Sequence, residues 1–287
     1  MPSLYVVATP IGNLEDISLR ALRVLAEVSL IAAEDTRKTR KLLNRYSIKT
    51  ALTSYHEHNK LSKLDYLMEY LQEKDVALVS EAGTPGVSDP GYELIAASGQ
   101  RGIPVVPIPG PSAIITALTV SGLPTDRFTY LGFLPPRQSA RRSLLQGGAA
   151  EKSTLILLEA PHRLIASLQD ILQILGDRRI AVCRELTKLH EDIFRGTVSQ
   201  AVTAFREPRG EFTLVIEGRQ GNGKPQMTEE VAHKLHDLYC SGATAKEAIA
   251  RFTAETGLPR KELYRAWLKF NAEAAPEDDS RHHLERR

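Results

Sequence analysis

The chain predicts an α/β fold that ends in a small helical appendage. Three observations predict it. Short apolar runs of strand length alternate with helical periodicity through the first half, the pattern of a parallel sheet covered on both faces. Glycine and proline gather where those runs end, most densely in Val76–Gly91, VALVSEAGTPGVSDPG. After Gly218 the strand-like runs stop, and three helical patterns follow the linker GRQGNGKP at 218–225. At 287 residues and 42% hydrophobic the chain can support two cored lobes before that linker. The expected division is an α/β domain over 1–125, a second over 126–218, a helical domain over 226–272 and a disordered tail over 273–287.

In the first half, Ser3–Ala8 reads as a buried strand ending at Thr9-Pro10. Asp16 or Ser18 can cap the next helix, whose apolar positions Leu19, Leu22, Leu25 and Val28 recur at helical spacing. Gly12 stands alone after the strand, so the glycine-rich cradle of a dinucleotide site is missing and nicotinamide and flavin dinucleotides become poor candidates. Ser29–Ala33 is a second strand, followed by RKTRKLLNRYSIK. That stretch packs Arg37, Lys38, Arg40 and Lys41 with Arg45 and Lys49 and holds no acids to pair them at i,i+4; it reads either as a solvated face or as a seat for an anionic partner such as a phosphate backbone. Ala51–Ser54 is a third strand. After it, Tyr55 could stack on a base, while His56 and His58 make only a weak case for a metal, so none is assigned.

The central strand Val76–Val79 leads into a loop carrying three side chains capable of directed polar contacts, Glu81, Thr84 and Asp89. Ligands of open parallel sheets bind beyond the carboxyl ends of the strands, which is where this loop falls. Helix Tyr92–Ala97 and strand Ile103–Ile108 follow, and Pro109-Gly110-Pro111-Ser112-Ala113 opens another helix whose free N–H groups suit an anion.

In the second half, Thr129–Leu134 with Pro135-Pro136 reads as the crossover between the two domains, and Ser153–Leu158, Ile180–Arg184, Ile193–Gly196 and Phe212–Ile216 read as strands. Arg137, Arg141 and Arg142 cluster just beyond the crossover, as plain surface charge or as a clamp on RNA backbone. The segment Glu185–Glu191 gathers acid, hydroxyl, base and imidazole at a strand end. Beyond the linker, Val231–Tyr239, Ala245–Thr256 and Arg260–Phe270 are helical patterns, with Gly257-Leu258-Pro259 between the last two: a structural bundle or a helix-turn-helix with a basic final helix.

Bulk properties add limits. The net charge of +2 does not by itself announce a nucleic acid. Cys183 and Cys240 form no ligand pattern and read as reduced core thiols of a cytosolic protein. No signal peptide and no bilayer-spanning run is visible, so no membrane partner is expected.

Taken together, LYVVATPIGNLEDIS, SEAGTPGVSDPG, VPIPGPSA and YLGFLPPR, with LLEAPHR and CRELTKLHE downstream, resemble the tetrapyrrole methylase superfamily. Within it they are most similar to the subgroup that methylates a cytidine 2′-hydroxyl of 16S ribosomal RNA. The resemblance implies two α/β domains with S-adenosylmethionine (SAM) in the cleft between them, and a homodimer. It implies cofactor contacts at Pro10, Ile11, Gly83, Thr84, Pro85, Val87, Ser112, Ala113, Leu158, Glu159 and Ala160. The superfamily commonly has Gly-Asp-Pro where this chain has Gly83-Thr84-Pro85, so the carboxylate role at that loop passes to backbone atoms, Glu81 or Asp89.

The chemistry expected is methyl transfer from SAM to a ribose, with the basic clusters holding ribosomal RNA. A protonated hydroxyl is a poor nucleophile, so a base or a cation near the developing oxyanion would help. The candidates are Lys188 and Glu185, then Glu81 and Asp89; Lys188 needs a depressed pKa to act as a base and otherwise serves as a cation. Two other classes stay open at this level: a tetrapyrrole or small-molecule methylase, and a SAM-sensing DNA-binding regulator.

Overall fold

The computed structural model describes residues 1–220, 227 and 229–273. Two compact units divide it, Met1–Arg219 and Gln220–Arg287.

The first unit holds two five-stranded sheets. The first is built from β1 (Leu4–Val7), β2 (Leu30–Ala33), β3 (Ala51–Ser54), β4 (Val76–Val79) and β5 (Val105–Ile108), in the order β3-β2-β4-β1-β5 and parallel throughout. Strands β2 and β4 are buried at every position, as expected of continuous apolar runs with helices on both faces. On one face, Val24 and Leu25 of α1 (Leu19–Glu27) and Leu42 and Leu43 of α2 (Thr36–Arg45) close over Ile31, Ala77 and Val79. On the other, Leu67 and Met68 of α3 (Lys60–Tyr70) and Leu94 of α4 (Tyr92–Gln100) close over Leu30, Ala32 and Leu78. Each fully buried side chain of this kind contributes roughly 1.5–3 kcal/mol. Of the two candidate caps for α1, Ser18 is the one used: its hydroxyl accepts from Ala21 N–H, while Asp16 sits in a preceding 3-10 turn capped by Asn13.

The second sheet departs from the first. Its order is β6-β7-β10-β8-β9, from β6 (Phe128–Phe133), β7 (Thr154–Glu159), β8 (Arg179–Arg184), β9 (Asp192–Thr197) and β10 (Phe212–Ile216). Only β6 and β7 run parallel; the other pairings are antiparallel. A bulge interrupts β6 between Tyr130 and Gly132. One face packs on α7 (Leu164–Leu175) and α8 (Val198–Ala204), with α6 (Gln138–Gly147) beside α7. Helix α6 is not announced by the sequence, where only its arginines, Arg141 and Arg142, stand out.

The other face of this sheet is covered from the first half of the chain. Helix α5 (Ala113–Ser121) brings Ala117 and Leu118 onto Ile156, Ala181 and Val215, and Ile11 joins the same cluster. That crossing seals the two sheets into one unit and leaves space where the carboxyl ends of the first sheet's strands meet the second sheet.

In the second unit α9 (Glu229–Cys240), α10 (Ala245–Thr256) and α11 (Arg260–Glu273) enclose Leu235, Ile249, Phe252, Leu263 and Trp267. Thr244 and Glu247 form a capping box at the start of α10, and Gly257 in the left-handed region (φ +70°) stops it. Cys183 is buried, but Cys240 is exposed, which corrects the reading of both as core thiols. The expected tail over 273–287 lies, beyond Glu273, outside the described residues, as does most of the expected linker. Among the described residues no helix is long and apolar enough to cross a membrane.

Candidate active site

The loops at the carboxyl ends of β1 and β4 are stitched to each other. Thr9 N–H donates to Gly83 O at 2.8 Å, and Gly83 N–H returns to Thr9 O at 2.9 Å. The Thr9 hydroxyl also reaches Ser80 O at 3.3 Å. Gly83 has φ +82° and Gly91 φ +154°, conformations that glycine adopts without strain. At Gly91 a Cβ would also lie 2.9 Å from Gly86 N, so the loop closes tightly on itself. Between them Ser88 adopts φ +63°, uncommon for a residue with a side chain. Its hydroxyl meets the Tyr130 hydroxyl of β6 at 2.6 Å, a bridge from the first sheet's loop to the second sheet.

These loops, the N-terminus of α5 and the ends of β7 and β10 surround a cavity of about 630 Å³, within the range of small-molecule sites. Much of its wall is apolar: Ile11, Ala113, Ile114, Leu158 and Phe212 line it. Val87, Ile115, Phe128 and Phe133, each 41–53% exposed, line it too. Exposed apolar side chains grouped in a concavity are what a ligand covers. Cys183 also lines it, but burial pushes its thiol up to about 11, so it is no thiolate nucleophile at neutral pH.

The charged side chains that line the cavity are all acids. Glu34 lies at the end of β2, and Glu81 and Asp89 lie in the β4 loop. Glu34 accepts a hydrogen bond from Glu81 N–H at 3.0 Å, and Lys38 of α2 pairs with the Glu81 carboxylate. Asp89 is pushed up to about 7 by burial and by the charges of Glu34 and Glu81, with a Ser80 hydrogen bond opposing them. Tyr130 is also raised, by burial first, with the Ser88 hydrogen bond opposing and Asp89 adding to it.

Of the residues expected to hold a cofactor, Ile11, Gly83, Thr84, Val87, Ser112, Ala113, Leu158, Glu159 and Ala160 line this one cavity. Pro10 and Pro85 are buried and do not. The Ser112 side chain caps α5 by accepting from Ile115 N–H. The Glu159 carboxylate is engaged on its own strand end: it accepts from Ala160 N–H at 2.8 Å, Ser167 hydroxyl at 2.5 Å and Arg163 at 3.0 Å.

Lys188 and Glu185 form a second cluster at the end of β8. Lys188 Nζ lies 3.0 Å from both Glu185 and Glu211. Burial works to lower the Lys188 pKa, but its hydrogen bonds to Glu211 and Glu185 prevail and raise it. Burial likewise works to raise Glu185, but Lys188 and the Glu211 N–H hold it below the usual 4.5. Lys188 is therefore an ammonium, which removes it as a general base and leaves the role of fixed cation. Neither Lys188 nor Glu185 lines the cavity; Leu186 and Glu211 beside them do. The backbone here is strained, with φ +51° at Glu185 and +65° at Thr187. Gly12 lets this loop approach: a Cβ there would sit 2.4 Å from Lys188 Cγ.

The basic clusters fare differently. Arg37 folds back on Asp35 at 3.3 Å, Lys38 is taken by Glu81, and Arg40 and Lys41 are exposed on α2. Arg141 is buried and ion-paired with Asp170 at 2.6 Å, and Arg142 meets the same carboxylate at 2.7 Å. Those two arginines hold α6 to α7, so the expected clamp keeps only Arg137 as an exposed, uncommitted position. Tyr55 is fully buried and cannot stack on a base. His56 and His58 stand edge to face at 6.0 Å, and among the described residues no group of acids, histidines and cysteines could hold a metal.

Residues 3–202 match the family of tetrapyrrole (corrin/porphyrin) methylases. Over 95% of this chain and the whole of the relative, it is 49% identical to ribosomal RNA small subunit methyltransferase I of Synechocystis sp.. The protein of the same name from Bacillus subtilis is 45% identical over 93% of this chain and 94% of its own length; that from Escherichia coli O157:H7 is 44% identical over the same shares. In fold the chain resembles uroporphyrin-III-C-methyltransferase from Thermus thermophilus, with a TM-score of 0.56 and 21% identity over 76% of this chain and 94% of that one. It also resembles diphthine synthase, with a TM-score of 0.61 and 14% identity over 75% and 89%.

Proposed function

Because this chain belongs to the tetrapyrrole methylase family, we propose that its cavity binds S-adenosylmethionine and that it 2′-O-methylates the ribose of a cytidine in small-subunit (16S) ribosomal RNA. The observation that carries the first half is the character of the cavity, an apolar space with an acidic end. Those features fit a donor that is cationic at one end and aromatic at the other. Ile11, Leu158 and Phe212 would hold its adenine, the free N–H groups at the start of α5 its carboxylate, and Glu34, Glu81 and Asp89 would complement its positive charges. With Thr84 at the position of the carboxylate common in the superfamily and the Gly83 backbone paired to Thr9, that polar role falls to Glu81 or Asp89.

Bound there, the donor supplies an electrophilic methyl group, so the task left to the protein is alignment. The Ser88–Tyr130 bridge and the Thr9–Gly83 pairing fix the walls that set that alignment. The Lys188 ammonium, held by Glu185 and Glu211, is the residue we assign to steady charge that develops on the ribose oxygen. Arg40, Lys41 and Arg137 are the cations we assign to the RNA backbone. We read the protein as a cytoplasmic homodimer, on the resemblance alone. Relatives named for ribosomal RNA and aligned over nearly the whole chain do not favour the small-molecule methylase or the DNA-binding regulator.

Mapping 2′-O-methyl marks on 16S RNA by mass spectrometry, with and without the protein, tests the reading. One cytidine should gain a mark that depends on the protein and on the donor. Uptake of SAM with no such mark would sink the RNA half; no uptake would sink both.

A further inference from the structure

We propose that Asp89 is the general base of the transfer, taking the 2′-hydroxyl proton directly into the cavity from the rigid turn that follows Ser88. The inference rests on the methyltransferase reading above and assigns one of its steps. The sequence offers four candidates for the task, and geometry separates them. Lys188 is an ammonium outside the lining, clasped by two carboxylates. Glu185 accepts from Lys188 and from Glu211 N–H and does not line the cavity. Glu81 lines it but is ion-paired with Lys38. Asp89 lines it, is half-buried and, among the described residues, makes no ion pair.

Its surroundings also hold it still. Ser88 sits in the left-handed region and is pinned to Tyr130, and Gly91 packs so closely on Gly86 that a side chain there would clash. Strain of this kind persists only where the surroundings overdetermine it, and it recurs at functional sites. The groups facing Asp89 are Glu34 from the end of β2, Glu81 and Ser80 from its own loop, and Tyr130 from β6. Two of these are anions and none is a cation, which keeps the carboxyl protonated up to about pH 7 and makes it a base matched to neutral pH.

The step balances within these groups. The ribose oxygen bonds to the methyl carbon as the carbon–sulfur bond breaks. The electron pair of that bond stays on sulfur, which becomes a neutral thioether. The hydroxyl proton passes to an Asp89 carboxylate oxygen and leaves to water when product departs.

Two measurements test the assignment. The first is calorimetric titration of the wild-type protein and of Asp89→Asn with the cationic donor SAM and with the neutral thioether S-adenosylhomocysteine, from pH 5.5 to 8.5. An acid that ionises in the cavity should make the preference for the cation rise severalfold through about pH 7 in the wild type, and stay flat in Asp89→Asn. The second is the pH profile of single-turnover methyl transfer. The wild type should lose rate below about pH 7, and Glu34→Gln should move that limb to lower pH by removing a neighbouring negative charge. Asp89→Asn should drop the rate at pH 8 by about 10²-fold or more, the usual contribution of a base, with the limb gone. A wild type that marks no RNA would sink the functional reading. A wild type that marks RNA while Asp89→Asn keeps both the acid limb and the rising cation preference would sink the base alone.

Discussion

The ends of the two sheets put the same kinds of side chain to opposite uses. At the first sheet, Glu34, Glu81 and Asp89 crowd one cavity with a single lysine, Lys38, on the outermost of them. At the second, Glu185 and the more exposed Glu211 share Lys188, and on the neighbouring helix α7 the buried Asp170 takes Arg141 and Arg142. Burial presses every carboxyl upward; what decides the outcome is the sign of the neighbour. Asp89 with acids beside it rises to about 7, whereas Asp170 and Glu185 with cations beside them fall below their usual values. One end is thus left under electrostatic tension, which a cationic ligand would relieve, and the other is neutralised in advance.

The largest effect expected from breaking this contrast is structural. Asp170→Ala would leave Arg141, with only 6% of its side chain exposed, without its counterion. Removing one partner of such a pair costs about 3–5 kcal/mol. Urea denaturation should show an unfolding free energy lower by that amount, and Arg142→Ala a far smaller loss, because that side chain is 39% exposed. Equal losses would mean that the pair does not secure α6 to α7.

Lys188→Ala comes next. As the fixed cation for a developing oxyanion it should cost on the order of 10²-fold in single-turnover rate, while calorimetric SAM affinity holds within a few-fold, since Lys188 does not line the cavity. An unchanged rate would remove it from the mechanism. A rate loss matched by lost SAM affinity would recast it as a support for the loop seated on Gly12.

The third effect concerns stability alone. The fold raises the Asp89 pKa from the usual 3.8 to about 7. Below pH 3.8 the group is protonated folded or unfolded and costs nothing. Between pH 3.8 and about 7 the unfolded chain gives up this proton while the folded state still holds it, so stability falls across that window and the loss is complete above it. Asp89→Asn should therefore melt higher than the wild type at pH 8, by a few degrees, with the difference closing towards pH 4. A variant that melts lower at pH 8 would mean that the carboxylate is paired in solution. A functional residue held at the expense of stability is a common bargain.

How much of this was legible in the chain follows the same divide. The parallel sheet and its cavity could be read because local signals coincide there: apolar runs, glycine-proline loops and a helix start at Ser112 all point to one edge. Glu34, an acid closing a buried strand, carries the same local signal. The second sheet's antiparallel pairings, and the roles of Glu211, Tyr130 and Phe212, depend on contacts between distant segments, and no spacing announces them. Arg141 misleads most, since a cluster of arginines looks alike in sequence whether its partner is a phosphate or an aspartate 29 residues away. Tyr55 misleads likewise, because only the packing of α3 and α4 puts its ring inside the core.

The smallest effect separates open from occupied cations on one helix. At the start of α2, Arg37 and Lys38 are committed to Asp35 and Glu81; a turn later Arg40 and Lys41 project freely into solvent. If the exposed pair holds RNA, Arg40→Ala with Lys41→Ala should flatten the salt dependence of RNA binding by between one and two units of slope, since each phosphate contact contributes about 0.7–0.9. SAM affinity should not move. Lys38→Ala should do the reverse: it frees the Glu81 carboxylate at the cavity, so the preference for cationic SAM over its neutral thioether should grow while the salt slope changes little. A double variant with an unaltered slope would show that α2 is an ordinary solvated helix, and that whatever binds RNA lies elsewhere on the chain.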